Sequence, residues 1–302
     1  MRIAPDQRLS RLTTIGAGGP AAAFAQPESL AELEEALRWA TERDMPVVAV
    51  GLGSNLLAAD AGIDALVVRL AGDLATVEID GDLLRAGGGA TNAVCLHRAR
   101  SAGLGGLEFA CAIPGTAGGG VRMNAGAYGS DWAGILQRAL VVSADGSGWR
   151  TPNELGLSYR HSELAPGQVV ARVEYRLSPR PIDEIKSDVA DLVARRKATQ
   201  PTNKRTFGSV FKNPPGELGA GHARELRTEG VPDRRRRHLA AARELHRERR
   251  RGDERRLPRP DGGGTAPSAR AVRRRARARG RAAGRRGVSH RRCLTAVSCC
   301  RG

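Results

Sequence analysis

Two glycine-rich loops, one arginine and one polar heptad carry the residue types from which chemistry can be built. Gly51-Leu52-Gly53-Ser54-Asn55-Leu56 follows the short apolar run from Pro46 to Val50. Glycine lets a backbone come close to a ligand, and successive N–H groups then face one concavity, a cradle suited to a pyrophosphate. Ser54 and Asn55 add side-chain donors. An ordinary strand-to-loop turn uses the same residue types. No third glycine opens a helix and no Gly-Lys-Ser/Thr follows, so neither the dinucleotide fingerprint nor the P-loop is present. The second loop, Ile113-Pro114-Gly115-Thr116-Ala117-Gly118-Gly119-Gly120, runs into Asn124-Ala125-Gly126-Ala127-Tyr128-Gly129. So many glycines suit a loop wrapped against a large flat cofactor. A plain surface loop is the alternative, and Ile113, Val121 and Met123 count against it. Arg160, in Ser158-Tyr159-Arg160-His161-Ser162, offers a fork that can grip a carboxylate at two points, although a surface salt bridge is the usual employment of such a residue. Ser209, in Gly208-Ser209-Val210-Phe211-Lys212-Asn213-Pro214, is a candidate proton donor. A serine is a weak acid that its neighbours must polarise, and beside a glycine it can also simply turn the chain.

These residues need a scaffold, and hydrophobic periodicity outlines one. Leu30, Leu33, Leu37 and Ala40 predict an amphipathic helix over 28–43, started by Pro27. Strands are expected at 46–50, 65–70, 83–86, 137–143 and 168–177. A helix is expected over 90–102, after the turn Gly87-Gly88-Gly89. Another is expected over 181–199, where Ile182, Ile185, Val189, Leu192 and Val193 mark one face. Short strands mixed with helices mean an α+β or α/β fold, and Ser178-Pro179-Arg180-Pro181 reads as a domain boundary.

The net charge of +17 over 302 residues is not evenly spread. Residues 1 to 217 hold 23 Lys and Arg against 24 Asp and Glu, a net of −1, while residues 218 to 302 hold 26 Arg against 8 acids, a net of +18. The latter segment has no Ile, Phe, Tyr, Trp, Met, Asn or Gln. With so few large apolar side chains it cannot offset its ordering entropy by burial, and disorder is expected from about residue 218. The cysteines 95, 111, 293, 299 and 300 show no metal-ligand spacing, and no metal is expected. Cys95 and Cys111 read as buried free thiols of a reducing compartment. No apolar run reaches the length of a membrane span, and a cytoplasmic monomer is expected.

The strings GLGSNLL, IPGTAGGGVRMNAGAYG, SYRHSEL and GSVFKNP stand in this order. At this spacing they resemble the UDP-N-acetylenolpyruvoylglucosamine reductases, the flavin reductases of cell-wall precursor synthesis. The segment Thr13 to Ala21 is similar to that family's entry segment, and the likeness covers roughly residues 10 to 216. It implies an α+β fold: an entry segment (1–20), a vanillyl-alcohol-oxidase/PCMH-type FAD-binding domain (21–179) and a substrate-binding domain that begins at 180–217. It implies FAD as cofactor, NADPH as hydride donor and a UDP-sugar carrying an enolpyruvyl group as substrate. Gly51, Leu52, Gly53, Ser54, Asn55, Leu56, Pro114, Gly115, Thr116, Gly118, Gly119, Asn124 and Gly126 would then hold the cofactor. Arg160 matches the family's catalytic arginine and Ser209 its proton donor. Tyr128, Lys212 and Asn213 fall at substrate-side positions, and His161 has no assigned role.

The resemblance stops where the arginines begin. The family continues with a substrate domain and ends in a catalytic glutamate, for which residues 218–302 offer no match. A basic tail of this kind would bind nucleic acid without specificity, and it holds no aromatic residue on which bases could stack. A nucleic-acid-binding protein on a flavoprotein-like body, or another flavin oxidase of the same superfamily, are the competing readings. The genetic code supplies a further one. If the last two bases of each codon from Ala223 to Glu248 are joined to the first base of the next codon, the allowed codons permit LVNCGLKGFRIGGAAISPRHANFIVN. That string is similar to the family's continuation, which predicts that the tail is the family's gene read out of frame, with the slip between about Pro214 and His222.

Overall fold

The computed structural model describes residues 1–200 and Thr295–Ala296. Ser209, Lys212, Asn213 and the arginine-rich segment lie outside the described residues, as does the disorder expected there.

Two sheets share one helix. In the first, β1 (Pro20–Ala25), β3 (Ile63–Val68) and β2 (Val47–Ala49) run parallel in the order β1–β3–β2, with Ala23 and Val47 both opposite Leu66. Ile3–Ala4 and Gln7–Arg8 pair antiparallel with β1. Between β1 and β2 lies α1 (Leu30–Thr41), whose start is fixed by the Ser29 hydroxyl accepting from the Glu32 N–H. Such a cap contributes about 1 kcal/mol. Leu33, Ala36, Leu37 and Ala40 are its buried face, and each fully buried leucine adds roughly 1.5–3 kcal/mol.

The second sheet is antiparallel, in the order β7 (Gly146–Arg150), β6 (Leu136–Ser143), β8 (Val169–Arg176), β5 (Leu83–Gly87), β4 (Val77–Asp80). β8 is buried on both faces, and a bulge makes that possible. Leu140 pairs with Arg172 but Val141 with Val170, so Ala171 is an extra residue and the alternation flips. Before the bulge, Val169 and Ala171 pack with α1 and the first sheet; after it, Val173 and Tyr175 pack with the helices on the other side. Glu174, only 4% exposed, is held by Arg138 through Nε (2.7 Å) and Nη2 (3.1 Å). That side-chain hydrogen bond keeps its carboxyl below the usual range.

The other face of the second sheet carries α2 (Asn92–Ser101), α3 (Ala117–Arg122) and the 3₁₀ turn Glu108–Ala112. α4 (Ile182–Thr199) packs on α2 and on that turn. The predicted elements are thus present, some with ends shifted by one or two residues. Two features differ from expectation. The run 117–122 is a helix rather than loop: Thr116 accepts from the Gly119 N–H, and its glycines allow close packing. A Cβ on Gly118 would lie 2.8 Å from the Val170 carbonyl oxygen, and one on Gly120 2.6 Å from the Trp132 ring. At the expected boundary, Ser178–Pro179 pairs with Leu104–Gly105. The strands β1, β4 and β7 were not expected at all.

Among the described residues, no helix is long and apolar enough to cross a membrane. Cys95 and Cys111 are free, and burial pushes the Cys95 thiol up to about 12, so it stays protonated.

Candidate functional site

The glycine loop after β2 is built for close approach. Gly53 has φ +66° and lies against the entry segment, where the Thr14 N–H donates to its carbonyl at 3.2 Å. A Cβ on Gly51 would meet the Thr116 hydroxyl at 2.6 Å. Ser54 Oγ donates to the Pro114 carbonyl, so the two glycine loops are tied directly to each other. Thr91 caps α2, and the Asn92 N–H donates to the Gly115 carbonyl at 3.0 Å. Leu56 begins the short strand Leu56–Leu57, which pairs with Thr295–Ala296.

Two cavities open on either side of this junction. One, of about 400 Å³, is lined by Gly51, Gly88, Gly119, Arg122 and Gln168 among others. The other, of about 420 Å³, is lined by His97, Cys111, Pro114, Gly115 and Arg196 among others. Leu52 and Thr91 border both. An elongated ligand with two bulky ends and a charged middle fits such a pair of lobes. Glycines 51, 115 and 119 border this pair of cavities, and glycine permits the close backbone approach that a diphosphate needs. Two buried polar atoms nearby lack a partner among the described residues: Asn92 Oδ1 and Arg196 Nε. Orphaned polar groups of this kind are what a bound ligand commonly satisfies. The residues present therefore fit FAD.

The loop after α3 forms the next layer. Asn124 is 2% exposed and fully engaged: Nδ2 donates to Ser158 O (2.9 Å) and Asp131 Oδ2 (3.2 Å), and Oδ1 accepts from the Ala133 N–H (2.9 Å). Its side chain thus braces the loops from inside and lines neither cavity. Gly126 gives its carbonyl to Arg160 Nη2. A Cβ there would stand 2.5 Å from the Ser130 carbonyl oxygen and 2.7 Å from Asp131 Cβ, so the turn requires glycine. The Tyr128 hydroxyl donates to the Leu192 carbonyl of α4 at 3.2 Å, with the Arg195 guanidinium 5.1 Å from its ring. Asn124, Tyr128 and Arg160 have φ of +35°, +57° and +55°, three of the five left-handed non-glycine residues described. Strain of this kind concentrates where function over-determines the backbone.

Of the expected site residues, the structure thus brings Gly51, Leu52, Thr116, Gly118 and Gly119 around the first cavity, and Pro114 and Gly115 to the second. Gly53, Ser54 and Gly126 are structural neighbours of these loops, Asn55 follows Ser54 on the same turn, and Arg160 stands on the adjoining turn. Sequence reasoning missed Thr91, Arg122, Gln168 and Arg196, which come from four separate elements and reach the cavities only through the fold.

Residues 21–151 match the model of the FAD binding domain. The chain is 43% identical over 218 residues to a UDP-N-acetylenolpyruvoylglucosamine reductase of Symbiobacterium thermophilum, covering 72% of this chain and 71% of that one. It is 42% identical over 216 residues to the Gluconobacter oxydans reductase of the same name, covering 71% and 70%. The crystal structure of the Thermus caldophilus reductase superposes with a TM-score of 0.67 at 36% identity, over 76% of this chain and 82% of that one. Sequence, fold and cleft agree, and the chain belongs to the UDP-N-acetylenolpyruvoylglucosamine reductase family of oxidoreductases, with FAD as its cofactor.

Proposed function

We propose that the chain carries the flavin half of an NADPH-driven reduction of UDP-N-acetylglucosamine enolpyruvate to UDP-N-acetylmuramate. Bound FAD supplies two-electron hydride transfer. The glycine loops 51–56 and 113–119 would hold it, between the two cavities that they border. Tyr128 is fastened to α4, and Arg196 of the same helix lines the second cavity.

The observation that carries the assignment is Arg160. Its guanidinium is anchored to the Gly126 carbonyl and has no carboxylate partner among the described residues. A fixed, half-buried and unneutralised fork suits the carboxylate of the enolpyruvyl group and the negative charge that develops there on hydride addition. Ser209 would protonate the adjacent carbon, and Lys212 and Asn213 would bind the UDP-sugar with Tyr128. The chain as written lacks a match for the family's C-terminal glutamate, so the reductive half of the cycle is retained and the oxidative half is lost.

The test separates the two halves. Under anaerobic conditions NADPH is expected to bleach the flavin colour of the purified chain, and the enolpyruvyl substrate is expected not to restore it. Rapid reoxidation by substrate, or failure of NADPH to bleach, would contradict this division.

A further inference from the structure

The first cavity contains a charge that nothing in the described protein neutralises. Arg122, the last residue of α3, lines it and is half-buried. It uses one of its five donors, Nη1 to the Gln168 carbonyl at 3.2 Å, and no ion pair reaches it from the described residues. No aspartate or glutamate lines the cavity, whereas a second guanidinium, Arg69, does. Burial alone lowers the proton affinity of Arg122, which marks the guanidinium as desolvated without compensation. Desolvating a guanidinium without a counter-charge is costly, and a ligand anion would offset that cost.

The surrounding backbone sets how close that anion can come. Gly88 and Gly118 face each other, with the Gly118 N–H donating to the Gly88 carbonyl at 2.9 Å. A Cβ on Gly88 would lie 1.9 Å from the Val170 carbonyl oxygen, so the wall admits no side chain. The cavity is therefore a smooth, acid-free lobe with a cation fixed at one side. Arg122 is also clamped from behind, because Ser162 Oγ donates to its carbonyl at 2.6 Å. The Gln168 carbonyl already holds one arm of the fork, which reduces what binding must order.

We propose that Arg122 recognises the adenosine-side phosphate of an adenine nucleotide and thereby makes this chain select FAD over FMN. The assignment rests on the proposed reading of this chain as an FAD-dependent reductase. The flavin ring contributes nothing to the selection, since FMN carries it as FAD does. A charge-assisted, two-point contact to phosphate is the strongest polar contact available to a neutral-pH side chain.

The experiment is a set of binding titrations on the full chain stripped of flavin, using FAD, FMN and ADP as probes, read by calorimetry. Arg122→Gln is expected to weaken FAD and ADP by about tenfold or more and to leave FMN within about twofold of the unsubstituted chain. Arg122→Lys keeps the charge but not the fork, and should show a smaller loss with the same selectivity. If Arg122→Gln does not fold, Arg122→Lys is read in the same titrations and decides alone. Equal losses for FAD and FMN, or unchanged FAD and ADP binding, overturn the assignment. A chain that binds ADP through Arg122 but no flavin would support the assignment and sink the flavin reading. A chain that binds FMN as tightly as FAD and ignores ADP would do the reverse.

Discussion

A chain whose codons beyond Gly216 are read one base later is expected to turn over the enolpyruvyl substrate at least about a hundredfold faster than the chain as written. Residues 1–217 are nearly neutral, whereas residues 218–302 carry a net +18 and lack eight residue types altogether. Arginine, alanine, glycine and proline have GC-rich codons, so an out-of-frame reading of GC-rich DNA produces this mixture. The shifted string restores a family-like continuation over 26 consecutive codons, Ala223 to Glu248. The relatives agree in extent: the Symbiobacterium alignment spans 218 residues, about as many as precede the arginine-rich segment. A missing general acid alone costs roughly 10²–10⁴ in rate, and loss of substrate contacts adds to it. Parallel steady-state assays of the two chains with NADPH check this. Equal rates, or a gene whose sequence leaves no family-like alternative frame, would refute it.

Gly53→Ala is expected to abolish stoichiometric FAD binding and to cost at least about 2 kcal/mol of stability, roughly 5 °C in Tm. Two effects combine. An L-residue in the left-handed region costs roughly 1–2 kcal/mol by itself, and Gly53 sits at φ +66°. The added Cβ would also stand 1.9 Å from the Leu12 carbonyl oxygen, which is backbone and cannot rotate away. Relief requires separating the loop from the entry segment, and with it Gly51 and Leu52, which line the first cavity. Gly81→Ala isolates the first effect: its φ is +60° but nothing lies within 4 Å of the new Cβ. That control is expected to lose only about 1–2 kcal/mol and to keep its flavin. Thermal denaturation and bound-flavin absorbance of the two variants side by side distinguish strain from collision.

The scaffold was legible wherever one periodicity dominated. Leu33 and Leu37 announced α1, and Ile185 with Val189 announced α4, because a single buried face repeats at helical spacing. β1 was missed because Pro20-Ala21-Ala22-Ala23-Phe24-Ala25 has small side chains and alternates weakly. α3 was read as loop because three consecutive glycines disfavour a helix. Here the packing against Val170 and Trp132 overrides propensity, and the Trp132 indole N–H to the Tyr175 hydroxyl (2.6 Å) fastens that contact. The chemistry-bearing loops were legible as strings, but their assignments were coarse. Asn124 was grouped with the cofactor ligands, whereas its amide is consumed in bracing the turn that carries Arg160. Arg122 stood in plain view inside a recognised motif. Its significance depends on the absence of any acid around it, and that is a property of the folded cavity rather than of the sequence.

The most direct measurement is the flavin content of the purified full-length chain after reconstitution, by absorbance and by mass spectrometry of the flavin released on denaturation. The cleft formed by the two glycine loops predicts stoichiometric FAD, retained through gel filtration and coloured yellow. A chain that emerges colourless, or that releases no FAD, would contradict the account at its centre.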